Sequence, residues 1–240
     1  MIKDLSIVFP SYNEEKRLKN TFKQILKLKK KLKKKQLEVI FVDDGSFDSS
    51  KNLINNFRET QKKKGLKIKS ILFEKNIGKG FALKKGVEKC TKKWILTSDI
   101  DLSVPLDQVL KWEETNLIKK KIIYFGSRNL SGSKVIKKKY RHILGTILNF
   151  FTNKILNINI KDTQCGYKLY EKSKAKKLFS KLMIKGFAHD LELVLIARKL
   201  SFSIDELPIK WTHKDGSKVN IFFEPIKMFL ILLFLKIKYF

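Results

Sequence analysis

The order of segments along the chain predicts an α/β fold, a mostly parallel sheet flanked by helices. Two observations predict it. Short apolar runs bounded by turn residues alternate with longer runs at helical spacing through the first hundred residues, as in successive βαβ units. The acidic and polar clusters follow the apolar runs, and in such sheets ligands bind outside the carboxyl ends of the strands. With 240 residues, 43% of them hydrophobic, the chain can bury one ordinary core but not two.

Taken in order, Leu5 to Phe9 is a buried strand ending at Pro10. Glu14 to about Lys35 is helical, with Leu18, Phe22, Ile25 and Leu28/Leu32 on one face. Leu37 to Val42 is a second strand, stopped by Asp43-Asp44-Gly45-Ser46. Ser46 or Asp48 can cap the next helix, which carries Leu53, Ile54 and Phe57. Ile68 to Phe73 is a third strand. Gly78 to Cys90 is a helix opened by a glycine loop, and Trp94 to Thr97 is a fourth strand ending at Ser98-Asp99.

The second half is less regular. Ile122 to Gly126 reads as a strand leading to Ser127-Arg128, Gly132 to Lys139 as a basic loop, and Ile143 to Ile160 as a long apolar stretch. Asp162 to Tyr170 is a loop entering a strand, Ala188 to Leu200 a helix with acids at its start, and Ile204 to Trp211 a final strand. The expected organisation is one domain over residues 1–215 with an amphipathic, membrane-associating helical extension over 216–240. In that extension Met228 to Leu235 is apolar, interrupted upstream by Glu224, Pro225 and Lys227, a pattern that fits an interfacial helix.

Lys+Arg number 53 against 23 Asp+Glu, a formal net charge of +30. Such a field attracts anions. Most of the excess is lysine, accompanied by abundant Ile and Asn, so a solvated lysine surface explains it as well as a partner does. Arginine is scarce and no nucleic-acid-reading motif occurs, so no nucleic acid is expected. Two cysteines, Cys90 and Cys165, make neither a disulfide framework nor a C-x-x-C pair. The first ten residues enter a strand without a signal-peptide pattern. No run reaches the roughly 18–20 apolar residues of a spanning helix. The expectation is a peripheral protein on the cytoplasmic face of a membrane.

Three clusters carry chemistry. Asp99-Ile100-Asp101 ends a buried strand, and residues two apart in extended chain project to one side. Paired carboxylates there suit Mg²⁺ or Mn²⁺, hard ions that share oxygen ligands with substrate phosphates; the competing reading is an exposed acidic turn. Asp43-Asp44-Gly45-Ser46 can accept hydrogen bonds from a base or ribose, or be a plain strand-to-helix turn. Asn76-Ile-Gly78-Lys79-Gly80 opens a helix whose amides favour phosphate, with Lys79 adding charge, or is a plain helix start. His142, His189 and His213 have no ligand spacing, and Trp94 and Trp112 read as packing residues.

Together these segments resemble the family 2 glycosyltransferases of the GT-A fold, and within them the polyprenyl-phosphate (dolichyl-phosphate) glucosyltransferases. The carriers are Phe9-Pro10-Ser-Tyr12-Asn13-Glu14-Glu15, Val42-Asp-Asp-Gly-Ser46, Asn76 to Gly80, Ser98-Asp-Ile-Asp-Leu-Ser-Val-Pro105, Gly126-Ser-Arg128, Asp162-Thr-Gln-Cys-Gly-Tyr-Lys168, Asp190-Leu-Glu192, and Trp211 with Gly216-Ser-Lys218. The resemblance implies that Pro10, Tyr12 and Glu14 border the nucleotide, with Tyr12 against uracil. Val42 and Asp44 would contact the base, with Asp43 in support. Asp99 would lie near the ribose or diphosphate, and Asp99 and Asp101 would form the metal site. Arg128 would bind the acceptor phosphate, joined by Arg141 at the edge of the apolar stretch. Asp190 is a further catalytic candidate, although His189 stands where relatives carry an aromatic. The Q-x-x-R-W motif of processive relatives is absent, which implies one sugar per acceptor.

The implied reaction is inverting transfer from a UDP-sugar to a polyprenyl phosphate. A lipid monophosphate is already an anionic nucleophile, so positioning and electrostatics do the work in place of a strong base. Two other transferase readings stay open. One is transfer to a glycan hydroxyl, where Asp190 or Glu192 would be needed as a base. The other is a GDP-mannose donor.

Overall fold

In the computed structural model of the chain, the described residues are 2, 4–32, 36–118, 123–136, 152–214 and 223–240. Seven strands form the central sheet: β1 (Asp4–Ser11), β2 (Gln36–Asp43), β3 (Lys67–Leu72), β4 (Trp94–Thr97), β5 (Ile123–Ser127), β7 (Lys168–Glu171) and β8 (Ile204–Pro208). Their order is β3-β2-β1-β4-β7-β5-β8. All neighbours run parallel except β7, which is antiparallel to both β4 and β5. Among the described residues the helices of six or more residues are α1 (Glu15–Lys31), α2 (Ser50–Lys62), α3 (Lys79–Lys89), α4 (Gln108–Glu114), α5 (Lys172–Lys181), α6 (His189–Lys199) and α7 (Phe223–Tyr239).

Period-two alternation divides the strands between two cores. Leu5, Ile7 and Phe9 of β1 and Val39 and Phe41 of β2 face one layer, with Leu18, Ile25, Ile54, Phe57 and Trp112 of α1, α2 and α4. Val8, Ile40 and Val42 face the other, with α3, α5, α6 and α7. The buried residues of α1, Leu18, Thr21, Ile25 and Leu28, follow the 3.6-residue period that predicted the helix. Trp94 and Trp112 are packing residues in the first core.

Three expectations change. The final strand splits: Ile204–Pro208 joins the main sheet, while β9 (Lys210–Thr212) leaves it to pair with β6 (Lys134–Ile136). The basic loop after Gly132 therefore contains a strand, which three short residues with no alternation do not announce. Asp48, rather than Ser46, serves the start of α2 by accepting the Ser50 amide at 2.9 Å. Finally, α7 is not amphipathic. Met228, Leu232 and Leu235 enter the second core at i, i+4, i+7 spacing. Phe229, Leu230, Leu233, Phe234 and Ile237, on the other side, are also apolar and are exposed. Among the described residues no helix is long and apolar enough to cross a membrane.

Candidate active site

The carboxyl ends of β1, β2, β4 and β5 meet at one edge of the sheet. Because β7 runs the opposite way, its entry also lies there, so the loop before Lys168 reaches the same edge. A pocket at this edge is lined by Ser98, Asp99, Asp101, Ser103, Val104, Cys165, Gly166, Tyr167 and Trp211.

Asp99 and Asp101 leave β4 through a tight turn. Asp101 Oδ1 accepts the Ser103 amide at 2.8 Å. Leu102 between them holds φ 51° with its side chain buried, a left-handed conformation that a bulky residue adopts only when its surroundings impose it. Asp99 is paired with Lys79 at 2.7 Å, so Lys79 spends its charge on this carboxylate. Gly166 packs so closely that a Cβ there would stand 2.4 Å from Asp99 Oδ2. Two carboxylates on one pocket, with serines beside them, form an all-oxygen donor set. That set fits Mg²⁺ or Mn²⁺ completed by diphosphate oxygens. Among the described residues no group of three His, Cys, Asp or Glu converges as a metal site.

The first amides of the glycine loop hold Asp44. The amides of Ile77 and Gly78 donate to Asp44 at 2.8 and 2.9 Å, and the Asn76 amide group donates to the same carboxylate at 3.0 Å. These donors bind Asp44 to the loop and are not aimed at a phosphate. Burial raises the pKa of Asp44 despite them. Asp43 is buried and accepts the Ser46 amide and hydroxyl. Val42 is fully buried under α3, so the expected contact between Val42 and a base has no surface on which to occur. Pro10, Tyr12 and Glu14 are partly exposed at the end of β1. Glu14 pairs with Arg17. Tyr12 meets Phe47 edge to face at 6.2 Å, and Phe47 itself is 84% exposed. Phe47 carries no sequence signal of its own, because only the turn's geometry reveals its exposure.

Arg128 sits where expected, directly after β5, but it is already partnered. Its Nε and Nη2 donate to Asp162 at 2.6 and 2.7 Å, its backbone amide donates to the same side chain, and its guanidinium stands 5.7 Å from the Trp211 ring. Burial works against its charge, but the Asp162 carboxylate more than compensates and raises its pKa. The fork is thereby fixed in orientation. Arg141 and Gly216 to Lys218 lie outside the described residues.

Asp190 is buried at the start of α6. Lys168 Nζ donates to its Oδ1 at 2.7 Å, and His189 Nε2 lies 3.2 Å from the same oxygen. His189 Nδ1 faces the Gly186 carbonyl. Both ring nitrogens thus face oxygen atoms. Burial opposes charge on Asp190, yet His189 and Lys168 outweigh it and hold the carboxyl well below its usual range. So held, Asp190 is a poor proton acceptor. Sequence reasoning missed Asp162 and Lys168 as working residues. A lysine inside the apolar run Tyr167-Lys-Leu-Tyr170 was the available signal, because a buried ammonium requires a partner.

Residues 6–179 match the family model described as Glycosyl transferase family 2. The chain belongs to that family. It is a glycosyltransferase, and curated relatives agree over most of its length. It is 33% identical to a dolichyl-phosphate beta-glucosyltransferase of Dictyostelium discoideum, over 93% of this chain and 71% of that one. It is 34% identical to the Homo sapiens protein of the same name, over 99% and 76%. Among solved structures, a glucosyl-3-phosphoglycerate synthase from Mycobacterium tuberculosis, in complex with Mn2+, UDP and glucosyl-3-phosphoglycerate, superposes with TM-score 0.59 at 17% identity, over 90% of this chain and 73% of that one. A mannosyltransferase from Pyrobaculum calidifontis, in complex with GDP-Man and Mn2+, gives TM-score 0.58 at 15% identity, over 89% and 57%. These likenesses establish the GT-A fold.

Proposed function

We propose that this glycosyltransferase moves glucose from UDP-glucose to a polyprenyl phosphate of the dolichyl type, with inversion at the anomeric carbon. The observation that carries the acceptor is the state of Asp190. A hydroxyl acceptor would need a base, for which Asp190 and Glu192 are the candidates, and Asp190 is buried. It is locked by Lys168 and His189. Glu192, the other candidate, is buried under four donors. An acceptor that arrives as an anion makes no demand on either residue. The names of the curated relatives support the same acceptor and sugar.

Asp99 and Asp101 would hold a divalent cation, which supplies charge neutralisation at the leaving diphosphate. Tyr12, with Phe47 beside it, would stack on uracil, and the Asp43–Asp44 turn fixes the wall of that subsite. Arg128, oriented by Asp162 and Trp211, would meet the acceptor phosphate through Nη1, which makes no hydrogen bond among the described residues. The exposed apolar stripe of α7 would seat the protein on the bilayer that holds the acceptor.

The test is a panel of nucleotide sugars with a short polyprenyl phosphate and Mg²⁺ or Mn²⁺, read by product mass and anomeric coupling. Turnover should require UDP-glucose, lipid phosphate and the cation together, and give a β-linked product. Asp101→Asn should lower it at least about a hundredfold with unchanged circular dichroism. Preference for GDP-mannose would move the donor assignment, and equal transfer to a lipid-free glycan hydroxyl would overturn the acceptor.

A further inference from the structure

The end of α7 is tied to the core by one carboxylate. Glu192 of α6 is fully buried and accepts four hydrogen bonds: the backbone amides of Met183 and Ile184 at 2.9 and 2.7 Å, Lys238 Nζ at 2.8 Å and the Tyr239 hydroxyl at 3.0 Å. Two donors belong to the last turn of α7, and two to the strap that joins α5 to α6. The other side of that strap lies on the first turn of α3. The Phe81 amide donates to the Lys185 carbonyl at 3.1 Å. The backbones are so close that a Cβ on Gly78 would stand 2.5 Å from the Lys185 oxygen, and one on Gly80 2.5 Å from the Ile184 oxygen. Between Gly78 and Gly80 is Lys79. Its ammonium lies 5.9 Å from the centre of the Phe187 ring, on the strap, and 2.7 Å from Asp99, in the pocket.

We infer that Glu192 is a positioning residue: it clamps the strap between α7 and the glycine loop, and so sets where Lys79 holds Asp99. The inference rests on the reading of Asp99 and Asp101 as the cation and diphosphate site. Its physical basis is the rigidity of a fully satisfied buried carboxylate. A buried charge tolerates no lost partner, so the four donors are held together as a unit, and two of them are backbone amides that cannot swing aside. The strap then meets α3 through backbone with no Cβ between, which leaves no side-chain slack to absorb a shift. Seating of α7, whose outward face is apolar, is by this route transmitted to the ion pair at the pocket.

The experiment uses the full chain with Lys238→Met/Tyr239→Phe, which removes both donors of α7 and leaves the pocket residues unaltered, and with Lys238→Arg as the conservative variant. Two readouts are taken: Mn²⁺-dependent UDP affinity by calorimetry, and amide exchange. The double variant should weaken UDP binding about tenfold, the scale on which supports of metal-binding groups act. It should also speed exchange at Met183, Ile184 and Phe81 while the amides of Ile7 and Val39 keep their protection. Lys238→Arg, which keeps a cationic donor and Tyr239, should retain most of the wild-type UDP affinity and protection. If exchange rises at Met183 and Ile184 but Phe81 protection and UDP affinity stay at wild-type values, Glu192 merely anchors the helix and the inference fails. Wild-type protein that binds no UDP with Mn²⁺ would overturn the site reading instead; the exchange at Phe81 would still decide whether α7 and the glycine loop are coupled.

Discussion

Asp99 owes its place to residues far away in the chain. Lys79, twenty positions earlier, pairs with it, and Gly166 makes room for it. The Asp162-Thr-Gln-Cys-Gly-Tyr-Lys168 segment thereby gains a physical account residue by residue. Asp162 orients Arg128, Gly166 admits Asp99, Tyr167 bonds to the α4 region at Val109 and Leu106, and Lys168 neutralises Asp190. Gly166→Ala should therefore be a selective lesion. The added methyl meets the far end of a flexible carboxylate and no backbone, so Asp99 should move and the fold persist. Mn²⁺-dependent UDP affinity should fall about tenfold, with the thermal midpoint nearly unchanged. A crystal structure of the variant with Asp99 undisplaced would contradict this account.

The elements opposite the pocket carry a buried carboxylate of their own. Glu38 of β2 accepts the Ser6 hydroxyl and the Thr91 amide and pairs with Lys69, joining β1, β2 and the entrance of β4 at the amino ends of the strands. Burial alone would raise its pKa, but Ser6, Thr91 and Lys69 overcome burial and lower it from 4.5 to about 2. A carboxyl depressed on folding adds stability that is fully present above its unfolded value and is lost as pH falls toward its folded one. The displacement corresponds to at most about 3 kcal/mol. Wild type should thus lose stability between about pH 4.5 and pH 2, and Glu38→Gln should be less stable at pH 7 while showing a shallower acid limb in denaturant titrations. Parallel acid limbs would refute the assignment.

For the molecule as a whole, the proposed membrane contact would draw on two features, a net charge of +30 and the apolar stripe of α7. They respond differently to salt, because charge attraction is screened over about 10 Å at 0.1 M and apolar burial is not. Binding to anionic vesicles should weaken as salt rises and level off at a residual set by the stripe. Leu230→Ser with Phe234→Ser, both exposed, should remove that residual with little change in thermal stability. Flotation in which the double variant binds zwitterionic vesicles as well as wild type would assign the contact to another surface.

The α/β class, the first four strands, the helices between them and the position of the acidic clusters at strand ends were legible in the sequence, because alternation, helical period and turn chemistry act over a few neighbouring residues. The second half was less so. Nothing local in Lys168–Glu171 says that it enters the sheet antiparallel between β4 and β5, and nothing local in Lys210–Thr212 sends it to a second sheet. Candidate site residues were legible by type, as in Asp99, Asp101 and Arg128, but not by partner. That Asp44 consumes the glycine loop's amides, that Asp162 holds Arg128, and that Lys168 and His189 silence Asp190 follow only from tertiary structure. Burying a charge obliges it to find an opposite charge or a donor, and the chain position of that partner is set by which segments the folded sheet brings together.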